Sequence, residues 1–246
     1  MADWSDAKRE IFDTDEALAQ HAAGWIALQA MRSEGDFRIC LSGGSTPKRL
    51  YEILATRHLH DFPWTRTHWF WGDERFVPLD SDKSNYHMTR LAMLDHAPVP
   101  PGHIHPILTQ SESEDIAAQR YQSRLHMVYG SGELDPKRPL FDITLLGLGE
   151  DGHTASLFPG VSALKEDKKW VVGVPDGTPP PRVSLTYPAL NSTRHMVFLV
   201  AGAKKRDALS RIMRGDESAP AQRVNPVGDL HLFLDKEAAV ALNNNG

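Results

Sequence analysis

The run Phe141-Asp142-Ile143-Thr144-Leu145-Leu146-Gly147-Leu148 decides how the chain is read. It is almost continuously apolar over the length of a strand, the pattern of a strand covered on both faces. Outward from it, similar short runs stand at residues 37–41, 68–71, 170–174, 183–186, 195–200 and 230–234. Between them the spacing turns helical. Residues 12–33 place Leu18, Ala22, Trp25 and Ile26 on one face, a helix follows Pro47, and residues 85–94 and 204–213 read as helices. Another sets Ala117, Tyr121, Leu125 and Val128 in register. Asp13 with Glu16 and Ser111 with Glu114 have capping-box spacing. Strands alternating with helices predict a three-layer α/β/α sandwich with a mostly parallel, Rossmann-like sheet, built by residues 1–246 as one domain. Ligands of such folds sit past the carboxyl ends of the strands, so the residues just after each strand should carry function.

Composition narrows the classes. The 246 residues carry 27 Lys and Arg against 32 Asp and Glu, a formal net charge of −5. No basic field exists to attract nucleic acid or an anionic membrane, so an anionic ligand must be met by local chemistry. The single cysteine, Cys40, excludes an internal disulfide and a cysteine-rich metal cage. No apolar run approaches the length of a membrane span, and residues 1–10 are polar and mixed in charge, unlike a signal peptide. The expectation is a cytoplasmic chain.

Four strand ends carry chemistry. After the strand at 37–41 come Ser42, Gly43, Gly44, Ser45 and Thr46, then Pro47. The glycines let the backbone close around a ligand, the hydroxyls add donors, and the next helix offers unpaired N–H groups. That is a phosphate cradle without the lysine of a nucleotide P-loop. After 68–71 stands Gly72-Asp73-Glu74-Arg75, where Asp73 can position a hydroxyl or water and Arg75 can meet an oxyanion. Trp69, Phe70 and Trp71 themselves read as core. After 141–148 the run Gly149-Glu150-Asp151-Gly152-His153 completes a Gly-x-Gly-x-x-Gly pattern, but Pro159 and Gly160 leave no room for the long helix of a dinucleotide site. It offers instead an acid and an imidazole two residues apart. A short helix beginning there would keep His153 neutral and available as a general base, while Asp151 could pull the other way or fix its tautomer. Whether Asp73 or Asp151 touches His153 is left open. Last, Arg182, Lys204 and Lys205 stand at strand ends where they can meet the same phosphate. No Gly-x-Ser-x-Gly elbow or His-Glu-x-x-His motif occurs, and His103-x-His105 stands in a loop without partners, so no metal site is expected.

Taken together these motifs resemble the 6-phosphogluconolactonase family, related in fold to glucosamine-6-phosphate deaminase/isomerase. The resemblance covers residues 41–54, 69–94, 141–159, 182–186 and 202–209, and residues 141–159 are its most specific part. It implies hydrolysis of a phosphorylated sugar lactone, 6-phospho-D-glucono-1,5-lactone, in the oxidative pentose phosphate pathway, with no metal or organic cofactor. Matched residue by residue, it makes His153 the base and gives Gly43, Gly44, Ser45 and Thr46 to the phosphate. Arg182 and Lys205, rather than Lys204, become the distal phosphate-binding cations, and Asp73, Arg75 and Asp151 line the sugar site. The related deaminases carry an acid in an Asn-Glu-Pro segment where this chain has Ser156-Leu157-Phe158-Pro159. That difference favours lactone hydrolysis over isomerisation. A deaminase on the same scaffold and a non-catalytic sugar-phosphate sensor are the alternatives.

Overall fold

The computed structural model describes residues 4–244. Its strands are β1 (Lys8–Phe12), β2 (Phe37–Leu41), β3 (Thr67–Trp71), β4 (Asp73–Arg75), β5 (Ile104–His105), β6 (Phe141–Gly147), β7 (Val171–Val174), β8 (Arg182–Leu185), β9 (Thr193–Val200) and β10 (Asp229–Asp235). Its helices are α1 (Asp15–Arg32), α2 (Ser45–Arg57), α3 (Asn85–Ala92), α4 (Glu114–Tyr129), α5 (Tyr187–Asn191), α6 (Arg206–Met213) and α7 (Lys236–Ala239). Seven parallel strands form the central sheet in the order β1-β10-β9-β6-β2-β3-β5, flanked by helices as a three-layer sandwich. β6 lies in the interior of the sheet between β9 and β2, and the helix layers over both faces are why its sequence is apolar on both. Trp69, Phe70 and Trp71 are fully buried, as core. No described helix is long and apolar enough to cross a membrane.

From β2 the chain runs outward to β3 and β5, and from β6 it runs the other way to β9 and β10. The β2–β6 boundary is therefore the switch point of the sheet, where the loops leaving the two strands diverge and open a crevice.

Several elements depart from the sequence reading. The strands expected at 170–174 and 183–186 do not extend the parallel sheet. They form a second, antiparallel sheet ordered β4-β8-β7, in which β8 pairs with both β4 and β7. The cause is Gly72. Its N–H donates to the Leu41 carbonyl (2.9 Å) at the end of the main sheet, and its own carbonyl accepts from the Leu185 N–H (2.8 Å) in the small one. The chain thus passes directly from β3 to the small sheet at the functional end of the molecule. β1 was not expected, because Lys-Arg-Glu is no core pattern; it is an edge strand, where exposed charge is favoured. The capping pairs were misplaced by one and two residues. Thr14 and Ser113 have the extended backbone of an N-cap and accept from the Ala17 N–H (3.1 Å) and the Ile116 N–H (3.3 Å). Asp13 instead pairs with Lys236 at 2.6 Å.

Glu74, overlooked between two residues chosen as functional, is 1% exposed. One of its carboxylate oxygens accepts from the Arg75 and Asn85 N–H groups, both 2.8 Å. The other accepts from the Tyr86 N–H (2.8 Å) and the Ser84 hydroxyl (3.0 Å). Burial pushes its pKa up, against the pull of the amides. The carboxylate fastens the start of α3 to β4 and so sets the position of Asp73 and Arg75. Glu74→Gln places an amide NH2 against donors and should cost about 1–3 kcal/mol of stability by thermal unfolding. An unchanged Tm would show that this carboxylate does not hold the two elements together.

Candidate active site

A cleft of about 620 Å³ opens at the carboxyl ends of β2, β6 and β9, with β4 and β8 along one side. Ser42, Gly43, Gly44, Ser45 and Thr46 line it together with Asp73, Arg75, Asp151, His153, Arg182 and Lys205. Every residue that the sequence assigned to the site therefore meets in one place. Lys204 is not among the lining residues.

The first wall is the turn from β2 into α2. Tyr51 secures it by donating to the Ser42 carbonyl (2.7 Å) and accepting from the Ser42 N–H (3.1 Å). Gly44, at φ 113°, is the N-cap of α2 and supplies no side chain to the helix. The leading N–H groups of α2 thus have no capping side chain, and the Ser42 hydroxyl is buried without a partner. Pro47 occupies the first turn, where its missing N–H costs nothing. Gly43 permits a close approach: a Cβ there would stand 2.1 Å from Asn85 Oδ1.

The second wall is cationic. Arg75 and Arg182 face each other as register partners across β4 and β8. Each has a buried Nε without a partner, although Arg75 also donates to the Lys83 carbonyl at 2.7 Å. Burial, and then the neighbouring Arg75, hold the Arg182 pKa below its ordinary value. Two adjacent guanidiniums with unmet donors suit a multiply charged anion. Asp73 is engaged elsewhere. Its carboxylate accepts from the Ser156 hydroxyl at 2.6 Å, and its carbonyl accepts from the Asn85 side chain at 2.9 Å.

The third wall is the loop after β6. His153 Nδ1 lies 2.6 Å from Asp151 Oδ1, and the same oxygen accepts from the His153 N–H at 3.0 Å. Burial raises the Asp151 pKa, but the bonds and the field from His153 outweigh it, so the carboxyl lies below its ordinary value. An ionised carboxylate can only accept, so Nδ1 carries a proton, and in the neutral ring the lone pair stands on Nε2. The question between the two acids is thereby answered for Asp151. The loop is braced at each end: the Gly149 N–H donates to the His153 carbonyl (2.8 Å) and the Thr154 hydroxyl to the Gly147 carbonyl (2.9 Å). The Phe158 ring packs 4.5 Å from the imidazole.

One premise fails. No helix begins at His153; residues 152–160 form turns with a single bridge between Thr154 and Leu157, and the next helical turn is Ser162–Lys165. A helix dipole therefore does not act on the imidazole; the Asp151 contact orients the ring and fixes its tautomer. His103-x-His105 is also not without partners. His105 lies in β5, its Nε2 is 3.0 Å from His68 Nδ1, and Arg124 donates to its Nδ1 at 3.0 Å. Asn85, Ser156 and Phe158 escaped the sequence reading, since their places depend on which segments fold over the cleft.

Comparison with known proteins identifies relatives of the chain. The 6-phosphogluconolactonase of a Synechocystis species is 44% identical over 216 residues, covering 85% of this chain and 86% of the relative. That of a Nostoc species is 41% identical over 220 residues, covering 87% and 88%. The solved structure of 6-phosphogluconolactonase from Trypanosoma cruzi superposes with a TM-score of 0.82 at 30% identity, covering 98% of this chain and 97% of the other. Residues 13–232 match the family described as glucosamine-6-phosphate isomerases/6-phosphogluconolactonase, and the chain belongs to that family.

Proposed function

We propose that this protein hydrolyses 6-phospho-D-glucono-1,5-lactone to 6-phospho-D-gluconate, as a cytoplasmic enzyme of the oxidative pentose phosphate pathway acting as one domain. The observation that carries the reading is an Asp–His pair whose contact through Nδ1 leaves Nε2 as the basic nitrogen of the neutral ring, in the same cleft as residues 42–46 and two guanidiniums with an unmet Nε. The phosphate is held by residues 42–46 with Arg182 and Lys205, and this remote binding orients the lactone carbonyl. His153 Nε2 takes a proton from water as its oxygen attacks C1. Asp151 stabilises the imidazolium that forms. Arg75 and the Glu150 N–H are the donors for the tetrahedral oxyanion, the Gly149 and Gly152 N–H groups being bonded within the loop. The C1–O bond to the ring oxygen then breaks, and the imidazolium returns its proton to that oxygen. No organic cofactor or metal enters the scheme.

Two features favour this reading over its rivals. A deaminase needs an acid after the histidine, whereas Ser156 here is bonded to Asp73 and Phe158 lies against the imidazole ring. A sensor has no need of a carboxylate that keeps one imidazole nitrogen free. The test is to generate the phosphorylated lactone enzymatically and follow acid release with and without the protein. Acceleration supports the reading. Ammonia release from glucosamine 6-phosphate, or binding without turnover, would replace it with one of the rivals.

Arg182→Ala should raise KM for the phosphorylated lactone by on the order of tenfold or more, the loss of a charge-assisted pair. It should scarcely alter hydrolysis of unphosphorylated gluconolactone. Equal effects on both substrates would mean that Arg182 does not read the phosphate.

A further inference from the structure

At the opposite end of the sheet, three side chains that the proposed reaction does not use converge. In the parallel pairing of β9 with β10, His195 is the register partner of Asp229, and His231 follows two residues along. Side chains two apart on a strand share a face, and so do parallel register partners. All three therefore project toward α1. Trp25 of that helix packs on both imidazoles, its ring centre 5.4 Å from His195 and 4.9 Å from His231.

His195 Nδ1 lies 3.3 Å from His231 Nε2 and 3.6 Å from Asp229 Oδ2, and the three atoms are all within 4.8 Å of one another. Two nitrogens each about 2.0–2.1 Å from a tetrahedral ion stand about 3.3 Å apart. A hydrogen bond accounts for the two imidazoles alone, because one Nδ1 proton serves one acceptor. The Asp229 carboxylate stands near the same nitrogen but beyond hydrogen-bond reach, at 3.6 Å, with its Oδ2 bonded to Lys8. We propose that His195, Asp229 and His231 form a binding site for a zinc-like divalent transition metal, at the end of the sheet away from the active-site cleft.

The donor set of two imidazoles and a carboxylate suits zinc or cobalt and not the hard cations magnesium and calcium, which take mostly oxygen. The wall is preformed: His231 is 5% exposed beneath Trp25. His195 and Asp229 are both part-exposed, so an ion can reach them from solvent and keep a water as fourth ligand. Lys8 of β1 occupies the carboxylate, its Nζ 2.7 Å from Asp229 Oδ2, but its side chain is largely exposed and free to withdraw. The ion replaces that ammonium, draws the carboxylate inward and clamps β9 to β10. The sequence expectation of no metal site rested on contiguous motifs, whereas these ligands meet only through strand register.

The test titrates metal-stripped protein with Co2+ and then Zn2+. Co2+ should give the visible absorption of a tetrahedral centre at one equivalent, and Zn2+ should displace it. Zn2+ at about 100 times its Kd should raise Tm by roughly 5–10 °C, with lactone hydrolysis unchanged by metal or chelator. Asp229→Asn and His195→Gln, both at part-exposed positions, should each weaken binding by about tenfold or more. Lys8→Ala, which removes the competitor, should tighten it. The proposal is overturned if wild-type protein shows no saturable uptake, or if these three variants bind as wild type does. A hydrolysis rate lost on chelation and restored by zinc would also overturn the placement away from the cleft. Failure of hydrolysis itself would leave the titration unaffected, so the two readings fail separately.

Discussion

His153→Ala should lower kcat for the phosphorylated lactone by on the order of 10²-fold or more, the range for loss of a general base. KM should change little, because the proposed function gives the phosphate to residues 42–46, Arg182 and Lys205, which line the same cleft, rather than to the imidazole. The size of the effect follows from the geometry. Asp151 holds Nδ1 at 2.6 Å, and its pKa lies below the ordinary carboxylate value, so it stays ionised well into acid. Its carboxylate accepts only, so the lone pair of the ring stands on the nitrogen turned away from it. Without the ring, water must attack unaided. A kcat within a few-fold of wild type, measured under saturating lactone with the spontaneous rate subtracted, would remove His153 from the chemistry.

Gly149→Ala is expected to be nearly as damaging without touching a reacting group. A Cβ at that position would stand 2.0 Å from His153 Nδ1 and 2.7 Å from Asp151 Oδ1, distances no side chain tolerates. Gly149 does not have a positive φ, so alanine suits its backbone and the strain falls on the Asp–His pair. The ring must move by about an ångström or more, and displacement on that scale costs about 10²-fold in rate. Tm should stay close to wild type, because the loop keeps its bracing bonds from Gly149 and Thr154. Full activity in Gly149→Ala would mean that the pair has slack. A collapse of Tm would mean that the glycine serves the fold and not the site.

The sheet was largely legible because the strongest signals in the sequence are its central strands. β2 matches the expected residues 37–41, and β6 falls one residue short of the expected 141–148. Both are covered on two faces, so burial writes itself into composition. The site was legible for a related reason: a parallel sheet puts its loops at one end, and the residues after β2, β3, β6 and β9 had to meet there. What was hidden lacks such a signature. β4 is three charged residues whose strand character comes from its partner β8. Glu74 cannot be told from its neighbours until its burial is known. The premise of a helix dipole on His153 failed because two turns of helix and a run of tight turns are alike in a stretch with Gly152 before it and Pro159 after it. Register across β9 and β10 brings His195, Asp229 and His231 together over a separation that no local pattern spans.

The most direct measurement is a structure with 6-phospho-D-gluconate bound. The account predicts the phosphate within hydrogen-bonding distance of residues 42–46 and Arg182, and the C1 carboxyl no more than one bridging water from His153 Nε2, with each contact about 2.6–3.2 Å. A product seated by its phosphate in that cradle, yet with C1 beyond the reach of a single water from His153, would contradict it.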